Sequence, residues 1–155
     1  MMESLWTELK NNGEEDLGVE YVSSFALLGI DKEGLLSTDE KLEVLIARNA
    51  WQKELIWNRF SMDQLGMSIS QPDKVRRSSQ TISVGNTGNW STKNYLPMGC
   101  LKNKETDSIL FWQIEQNGSW YWEISDQDGH MYLQLSGPTE HQSHWWKNLK
   151  PGDTF

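Results

Sequence analysis

The stretch that most strongly indicates the fold reads Trp112-Gln113-Ile114-Glu115-Gln116-Asn117-Gly118-Ser119-Trp120-Tyr121-Trp122-Glu123. It places an Asn-Gly pair between alternating segments, which is the strongest short signal for a β-hairpin, because both residues tolerate the positive φ of a type I′ turn. We therefore predict a hairpin with Asn117-Gly118 as its two-residue turn, in which Gln116 opposes Ser119 and Trp112 opposes Glu123. Residues that oppose each other share one face of the sheet.

This register divides the side chains between two faces. If Asp126 to Gly129 form a four-residue turn, a third strand joins the sheet and Trp122 opposes Leu133. The first face is apolar and is the predicted core face: Phe111, Trp120, Trp122, Ile124, Met131, Leu133 and Leu135. The second face mixes aromatic and polar residues, and its candidates for contact with a sugar or a protein surface are Trp112, Tyr121, Glu123, Tyr132 and Gln134. A flat face favours a protein interface over a small-molecule pocket.

The chain from Tyr21 onward repeats short apolar runs between turn clusters rich in Gly and Asn. The runs cover 21–30, 42–47, 51–60, 81–84, 109–115, 120–125 and 130–135. Such spacing is typical of an antiparallel β-sandwich or barrel. We therefore predict an all-β domain over residues 21–155, preceded by a polar segment, 1–20, with at most a short helix over Ser4 to Lys10.

Two local features stand between the predicted strands. Ser61 and Gln64 have the spacing of a capping box, which predicts one helical turn before Gly66. Residues 66–80 are rich in Ser, Gln and charge and are predicted to form a mobile loop. The basic pair Arg76-Arg77 falls in this stretch and is predicted to be solvated.

The composition excludes several classes of protein. The net charge of −8 and the pI of about 4.8 argue against nucleic acid or an anionic membrane as a partner, since both attract clustered Lys and Arg. A single cysteine, Cys100, rules out an internal disulfide framework and favours the cytoplasm. The sequence has no apolar run typical of a signal peptide or a membrane span. Its nine tryptophans must pack a core, line a sugar site or contact a partner.

The sequence contains no recognisable catalytic or metal-binding motif. A glycosidase needs two carboxyl groups about 5–9.5 Å apart across one bond, and the predicted register puts Glu115 and Glu123 on opposite faces of the sheet. His141 and His144 are metal-type residues, but a zinc site needs three or four ligands on a rigid frame. We therefore predict no catalytic residue, no metal and no cofactor.

Several blocks resemble the N-terminal domain of bacterial α-galactosidases of glycoside hydrolase family 36. The resemblance spans roughly Tyr21 to Phe155. Gln116 departs from it, standing where many relatives have His. The blocks that carry it are Ala47-Arg48-Asn49-Ala50-Trp51, Tyr95-Leu96-Pro97-Met98-Gly99, Trp112-Gln113-Ile114-Glu115, Asn117-Gly118-Ser119-Trp120, Trp122-Glu123, Leu135-Ser136-Gly137-Pro138-Thr139-Glu140 and Trp145-Trp146-Lys147-Asn148-Leu149-Lys150-Pro151-Gly152.

The resemblance implies part of a galactose-mutarotase-like β-supersandwich that precedes a catalytic (β/α)₈ barrel. Two aspartates of that barrel act as nucleophile and acid/base in the family, and neither of their motifs occurs in this sequence. The parent enzyme would hydrolyse terminal α-galactosides of the melibiose or raffinose type. This portion would act as a scaffold beside the barrel and in a homo-oligomer, a tetramer in relatives.

The resemblance also implies that the sandwich is incomplete at both ends. Unpaired strand edges and apolar faces would then be exposed, so we predict poor solubility or self-association of the chain alone. Two other functions remain open: a free-standing carbohydrate-binding module that uses the aromatic face, and a β-sandwich interaction protein with no role in sugar binding.

Overall fold

The computed structural model describes residues 3–67, 80–127 and 129–155, so most of the predicted loop 66–80, with Arg76-Arg77, lies outside the described residues. The ten strands are β1 (Leu17–Val19), β2 (Ser23–Leu28), β3 (Leu42–Ala50), β4 (Lys53–Ser61), β5 (Ile82–Asn86), β6 (Tyr95–Asn103), β7 (Ser108–Gln113), β8 (Trp120–Gln127), β9 (His130–Ser136) and β10 (Lys147–Leu149). The helical segments are α1 (Thr38–Lys41), a 3₁₀ turn (Asp63–Leu65) and α2 (Glu140–Ser143). No helix in the described parts of the chain is long and apolar enough to cross a membrane.

The strands form two four-stranded sheets and a short ribbon. The first sheet has the order β2-β9-β8-β5, the second sheet has the order β4-β3-β6-β7, and β1 pairs with β10. Every pairing of these strands is antiparallel. The predicted all-β antiparallel sandwich is confirmed.

The core lies between the two sheets, where alternate residues of each strand turn inward. Trp122, Ile124 and Leu133 come from the first sheet and are fully buried. Leu42 and Val44 come from the second sheet and are equally inaccessible. The inner faces of the two sheets therefore shield each other from water, which is the main source of stability in such a fold.

The predicted hairpin between residues 112 and 123 is wrong. β7 pairs with β6 in the second sheet, whereas β8 lies between β5 and β9 in the first. Residues 114–119 therefore cross from one sheet to the other, and neither Asn117 nor Gly118 has a positive φ. The crossing lets Trp112 and Trp122 both turn into the core, whereas a hairpin would have placed them on opposite faces.

The strand pair β8–β9 follows the prediction with a shift in register. Trp122 pairs with Leu135, and not with Leu133, because β8 continues to Gln127 and β9 begins at His130. Gln127 and His130 form the last pair before the connection, so the strands pair further along than predicted. A shift of two residues preserves the faces, so the predicted core residues of these two strands are buried, while Phe111 is 53% exposed on the second sheet.

The N-terminal segment contains no helix over residues 3–9, so the suggested short helix from Ser4 is absent. Lys10 instead bridges to Thr154, and β1 pairs with β10. The predicted helical turn is confirmed, because the Ser61 amide donates to Oε1 of Gln64 at 2.9 Å and the Gln64 amide donates to Oγ of Ser61 at 3.2 Å. The domain boundary at residue 21 stays a prediction.

Strand β6 was not among the predicted strands, and it contains Pro97, a residue that is unusual in a central strand. The structure accommodates this proline at an irregularity: β3 pairs Ile46 with Gly99 and Arg48 with Tyr95, so β6 has two extra residues there. Proline is tolerated at such bulges since its missing N–H removes no ladder hydrogen bond. The carbonyl of Pro97 accepts a hydrogen bond from the Ile114 amide at 2.7 Å.

Candidate functional site

Four of the five candidate residues lie together on the outer face of the first sheet. Tyr121 and Glu123 are on β8, and Tyr132 and Gln134 are on β9, with Glu123 directly opposite Gln134. All four are partly exposed, as expected for residues that alternate with a buried set. The sequence pattern thus identified their common face, although the register it used was off by two residues.

Trp112 does not belong to this group, which corrects its predicted position. It lies on β7 of the second sheet, is 5% exposed and packs in the core. Its ring meets that of Trp122 edge to face, with the centroids 5.2 Å apart. Trp112 therefore contacts neither solvent nor a ligand at the outer face of the first sheet.

The centre of the group is the carboxylate of Glu123, which two tyrosines hold from different sides. The Tyr121 hydroxyl donates to Oε2 at 2.5 Å, and the Tyr132 hydroxyl donates to Oε1 at 2.8 Å. Hydrogen bonds to a charged acceptor are stronger than those between neutral groups. The carboxylate is therefore fixed in position without a cationic partner within ion-pair distance among the described residues.

This arrangement changes the acidity of the surrounding tyrosines. Burial is the main cause that raises the pKa of Tyr121 well above its ordinary value, and the hydrogen bond to Glu123 adds to it. The pKa of Tyr132 is raised by the same two causes in the same order. Burial also raises the pKa of Tyr21, followed by the nearby charge of Glu123. All three hydroxyls thus keep their protons above the usual range for tyrosine.

Beside this group lies a recess of about 330 Å³, which we call the outer-face recess. Its floor on the sheet consists of Tyr121, Glu123 and Gln134. Its walls come from the residues before β2 and around the start of α2: Glu20, Tyr21, Thr139, Glu140, His141 and Gln142. Tyr132 supports Glu123 from the side and does not line the recess.

The walls are held by backbone contacts. The Glu140 amide donates to the Glu20 carbonyl at 2.8 Å, which joins the start of α2 to the residues before β2. Thr139 caps α2 by accepting a hydrogen bond from the Gln142 amide at 3.1 Å. The Thr-x-x-Gln spacing is the signature of such a cap and was available in the sequence. That Glu20 and Tyr21 lie beside the start of α2 was not available in the sequence, since it depends on the fold.

The other chemistry-bearing residues do not form a site. Glu115 is exposed on the crossing between the sheets, and Glu123 is on β8. His141 lines the recess, while Nδ1 of His144 lies 3.9 Å from a carboxylate oxygen of Glu140. Among residues 3–67, 80–127 and 129–155, no group of three His, Cys, Asp or Glu side chains could hold a metal ion.

The outer face of the second sheet has a different character. The strand registers bring Leu45, Trp57, Ile109 and Phe111 to one side, with Cys100 between Leu45 and Phe111. Ile109 is 61% exposed and Trp57 is 38% exposed, whereas Cys100 is buried. We call the side chains of Leu45, Trp57, Ile109 and Phe111 the apolar outer face. Glu43 and Arg59 lie on the same side of the sheet and form an ion pair at 3.6 Å. Exposed apolar side chains grouped on one side of a sheet are typical of an interaction surface.

Comparison with known proteins gives a match at the level of structure. No family model matches the chain, and no curated protein matches it. Glycoside hydrolase family 36 α-galactosidase AgaA from Geobacillus stearothermophilus, solved with stachyose, superposes with a TM-score of 0.70 at 15% identity, over 97% of this chain and 18% of that one. The chain has the fold of the N-terminal domain of such enzymes.

Two further solved structures agree with this match. The galactosidase domain of the α-galactosidase–sucrose kinase AgaSK superposes with a TM-score of 0.68 at 18% identity, over 96% of this chain and 18% of that chain. The α-galactosidase from Lactobacillus brevis superposes with a TM-score of 0.62 at 15% identity, over 96% of this chain and 17% of that chain. The chain therefore spans less than a fifth of the length of each enzyme, and at these identities the likeness establishes the fold alone.

Proposed function

We propose that this chain is the N-terminal β-sandwich portion of a glycoside hydrolase family 36 α-galactosidase and serves as a scaffold for the catalytic barrel. The observation that carries the proposal is the superposition of 96–97% of the chain on the N-terminal domains of such enzymes. Independent support comes from the sequence blocks, of which Trp145-Trp146-Lys147-Asn148 is among the most specific.

The parent enzyme hydrolyses terminal α-galactosides of the melibiose or raffinose type with retention of configuration. The two carboxyl groups required for that reaction belong to the barrel. This chain contributes no catalytic residue. The single cysteine favours an enzyme of the reducing cytoplasm, and the resemblance to the family implies a homo-oligomer.

The apolar outer face is the surface by which the domain packs on the barrel. Phe111 and Ile109 on this face are more than half exposed in the chain alone. Burying them against a neighbouring domain removes apolar area from water, at about 25 cal/mol per Å². The isolated chain keeps this face uncovered and is therefore expected to self-associate.

The alternative is a free-standing carbohydrate-binding module, and the outer-face recess with its tyrosines and Glu123 is the observation that favours it. The two functions differ in the coding sequence that follows Phe155. The scaffold requires alternating β and α segments of a barrel in the same reading frame, with two catalytic aspartates. A stop codon at that point would instead support the module.

A second experiment tests the scaffold role directly in the product of the whole reading frame. Phe111→Ser is expected to reduce hydrolysis of p-nitrophenyl α-galactoside at least tenfold, or to leave the enzyme insoluble, because it weakens the contact with the barrel. Leu35→Ser is the matched control, since Leu35 is 98% exposed and lies outside the strands of the second sheet. Equal activity of the two variants and the unaltered enzyme would contradict the proposed role of the apolar outer face.

A further inference from the structure

We propose that the outer-face recess is a saccharide-binding site in which Glu123 accepts hydrogen bonds from sugar hydroxyls. This inference goes beyond the scaffold role and does not depend on it. It rests on an open recess of about 330 Å³, at the lower end of the usual volume of ligand pockets.

The carboxylate of Glu123 is preorganised to accept hydrogen bonds from a ligand. A carboxylate has two oxygens with about four lone-pair directions, and one hydroxyl of Tyr121 and one of Tyr132 occupy only half of them. The remaining acceptor positions belong to a carboxylate that is already held in place. Because its conformational freedom is lost before a ligand arrives, little further ordering is needed on binding.

The groups around Glu123 combine hydrogen-bond donors and acceptors with an aromatic ring. Gln134, directly across the strand pair, offers both a donor and an acceptor through its amide. Gln142 and His141 on the wall add further polar groups, and the ring of Tyr21 supplies an apolar side. A sugar needs this combination, since its hydroxyls form hydrogen bonds and its C–H face packs on an aromatic ring.

The lining of the recess does not suit anionic or purely apolar ligands. The lining includes the carboxylates of Glu20, Glu123 and Glu140 and, among the described residues, no Lys or Arg. An anionic ligand such as a phosphate would be repelled. A purely apolar ligand would leave these polar groups without water or partners. A neutral polyol whose hydroxyls donate hydrogen bonds satisfies both conditions.

The test uses the whole chain and methyl α-D-galactopyranoside and raffinose as probes. Titration followed by NMR chemical shifts is expected to show weak, saturable binding in the millimolar range, centred on Tyr121 and Gln134. Glu123→Gln and Gln134→Leu are each expected to weaken it at least tenfold. The matched control is Glu43→Gln, a carboxylate on the outer face of the second sheet that pairs with Arg59 at 3.6 Å. This control is expected to bind as the unaltered chain does.

Three outcomes would overturn the inference: no shift at these residues with either sugar, equal binding by both recess variants and the control, or binding of tetramethylammonium without binding of sugar. The last would assign the recess to cationic ligands, for which tyrosine rings and carboxylates are also suited. Unfolding midpoints of each variant separate a loss of fold from a loss of binding, and Gln134→Leu leaves the Glu123 contacts intact. Failure here would leave the reading-frame test of the scaffold unaffected.

Discussion

Trp112 and Trp122 meet edge to face in the centre of the sandwich, with their ring centroids 5.2 Å apart and their planes at 78°. One belongs to β7 of the second sheet and the other to β8 of the first. The contact therefore joins the two sheets through residues that are only ten positions apart in the sequence. In the predicted hairpin these two side chains would lie on opposite faces of one sheet, so their contact distinguishes the observed fold from that hairpin.

Alanine substitution of either tryptophan is expected to lower the free energy of unfolding by about 3–5 kcal/mol, because each leaves a large cavity in the core. The double variant should cost less than the sum of the two single variants, with a coupling of about 0.5–1.5 kcal/mol from the ring contact. Urea denaturation of the four proteins measures this. Trp51→Ala is the control, since Trp51 is 88% exposed. Additive costs would show that the rings do not interact.

Gly99→Ala is expected to destabilise the protein by about 1–3 kcal/mol, because the added methyl group would collide with the Trp112 indole. The cost should shrink when Trp112 is replaced by the smaller Phe. Gly118→Ala is the matched control: its Cβ meets nothing within 4 Å and its φ is not positive. A large cost at Gly118, measured by thermal unfolding, would instead favour a type I′ turn at this position.

Asn11→Ala is expected to cost about 1–3 kcal/mol, because it leaves buried polar groups without partners. The Asn11 amide donates to the carbonyls of Glu15 and Leu149, each at 2.8 Å, and thereby joins the N-terminal segment to β10. Asn117→Ala on the exposed crossing is the comparison and should stay within about 0.5 kcal/mol. Similar urea midpoints for the two variants would show that the side-chain hydrogen bonds of Asn11 add nothing to stability.

Glu105→Gln is expected to destabilise the protein near neutral pH and to lose this effect in acid. Glu105 accepts hydrogen bonds from the amides of Leu35, at 2.8 and 2.9 Å, and Leu36, at 2.9 Å, and these hold its pKa below the ordinary 4.5. A lowered folded-state pKa gives stability that is present above the ordinary value and is lost as the pH falls through the folded value. Urea midpoints at neutral pH and about pH 3 measure the effect. Equal urea midpoints of the variant and the unaltered protein at neutral pH would contradict this role of Glu105.

Glu123→Gln is expected to bring the ionisation of Tyr121 and Tyr132 down towards the ordinary pH range, because the variant removes the charge that opposes tyrosinate. The part of the pKa shift caused by burial should remain. The pKa values of Tyr121 and Tyr132 are raised in the folded protein. The stability that comes from keeping these tyrosines protonated is therefore present below the ordinary pKa of 10.0 and is lost as the pH rises through their pKa values in the folded protein. Ultraviolet absorbance of tyrosinate during alkaline titration measures the change. An unchanged titration curve would show that Glu123 does not couple to these tyrosines.

Local patterns in the sequence were sufficient for several features. Alternation in β8 and β9 predicted which side chains are buried, including Trp122 and Ile124, and the Ser61–Gln64 spacing predicted a helical turn. The helical turn depends on contacts within a few residues, and the buried faces depend on a strict period of two. An equally local signal, the capping box of Ser37 and Glu40, marks the start of α1.

The sequence by itself determined the all-β class, the buried and exposed faces of β8 and β9, and the acidic character of the chain. Only the tertiary structure decided that β7 and β8 belong to different sheets, because alternation indicates which face of a strand is buried but not which strands pair with its edges. Strand partners are chosen by the packing of the whole core. For the same reason Tyr21 and His141, more than a hundred residues apart, meet at the recess beside Glu123.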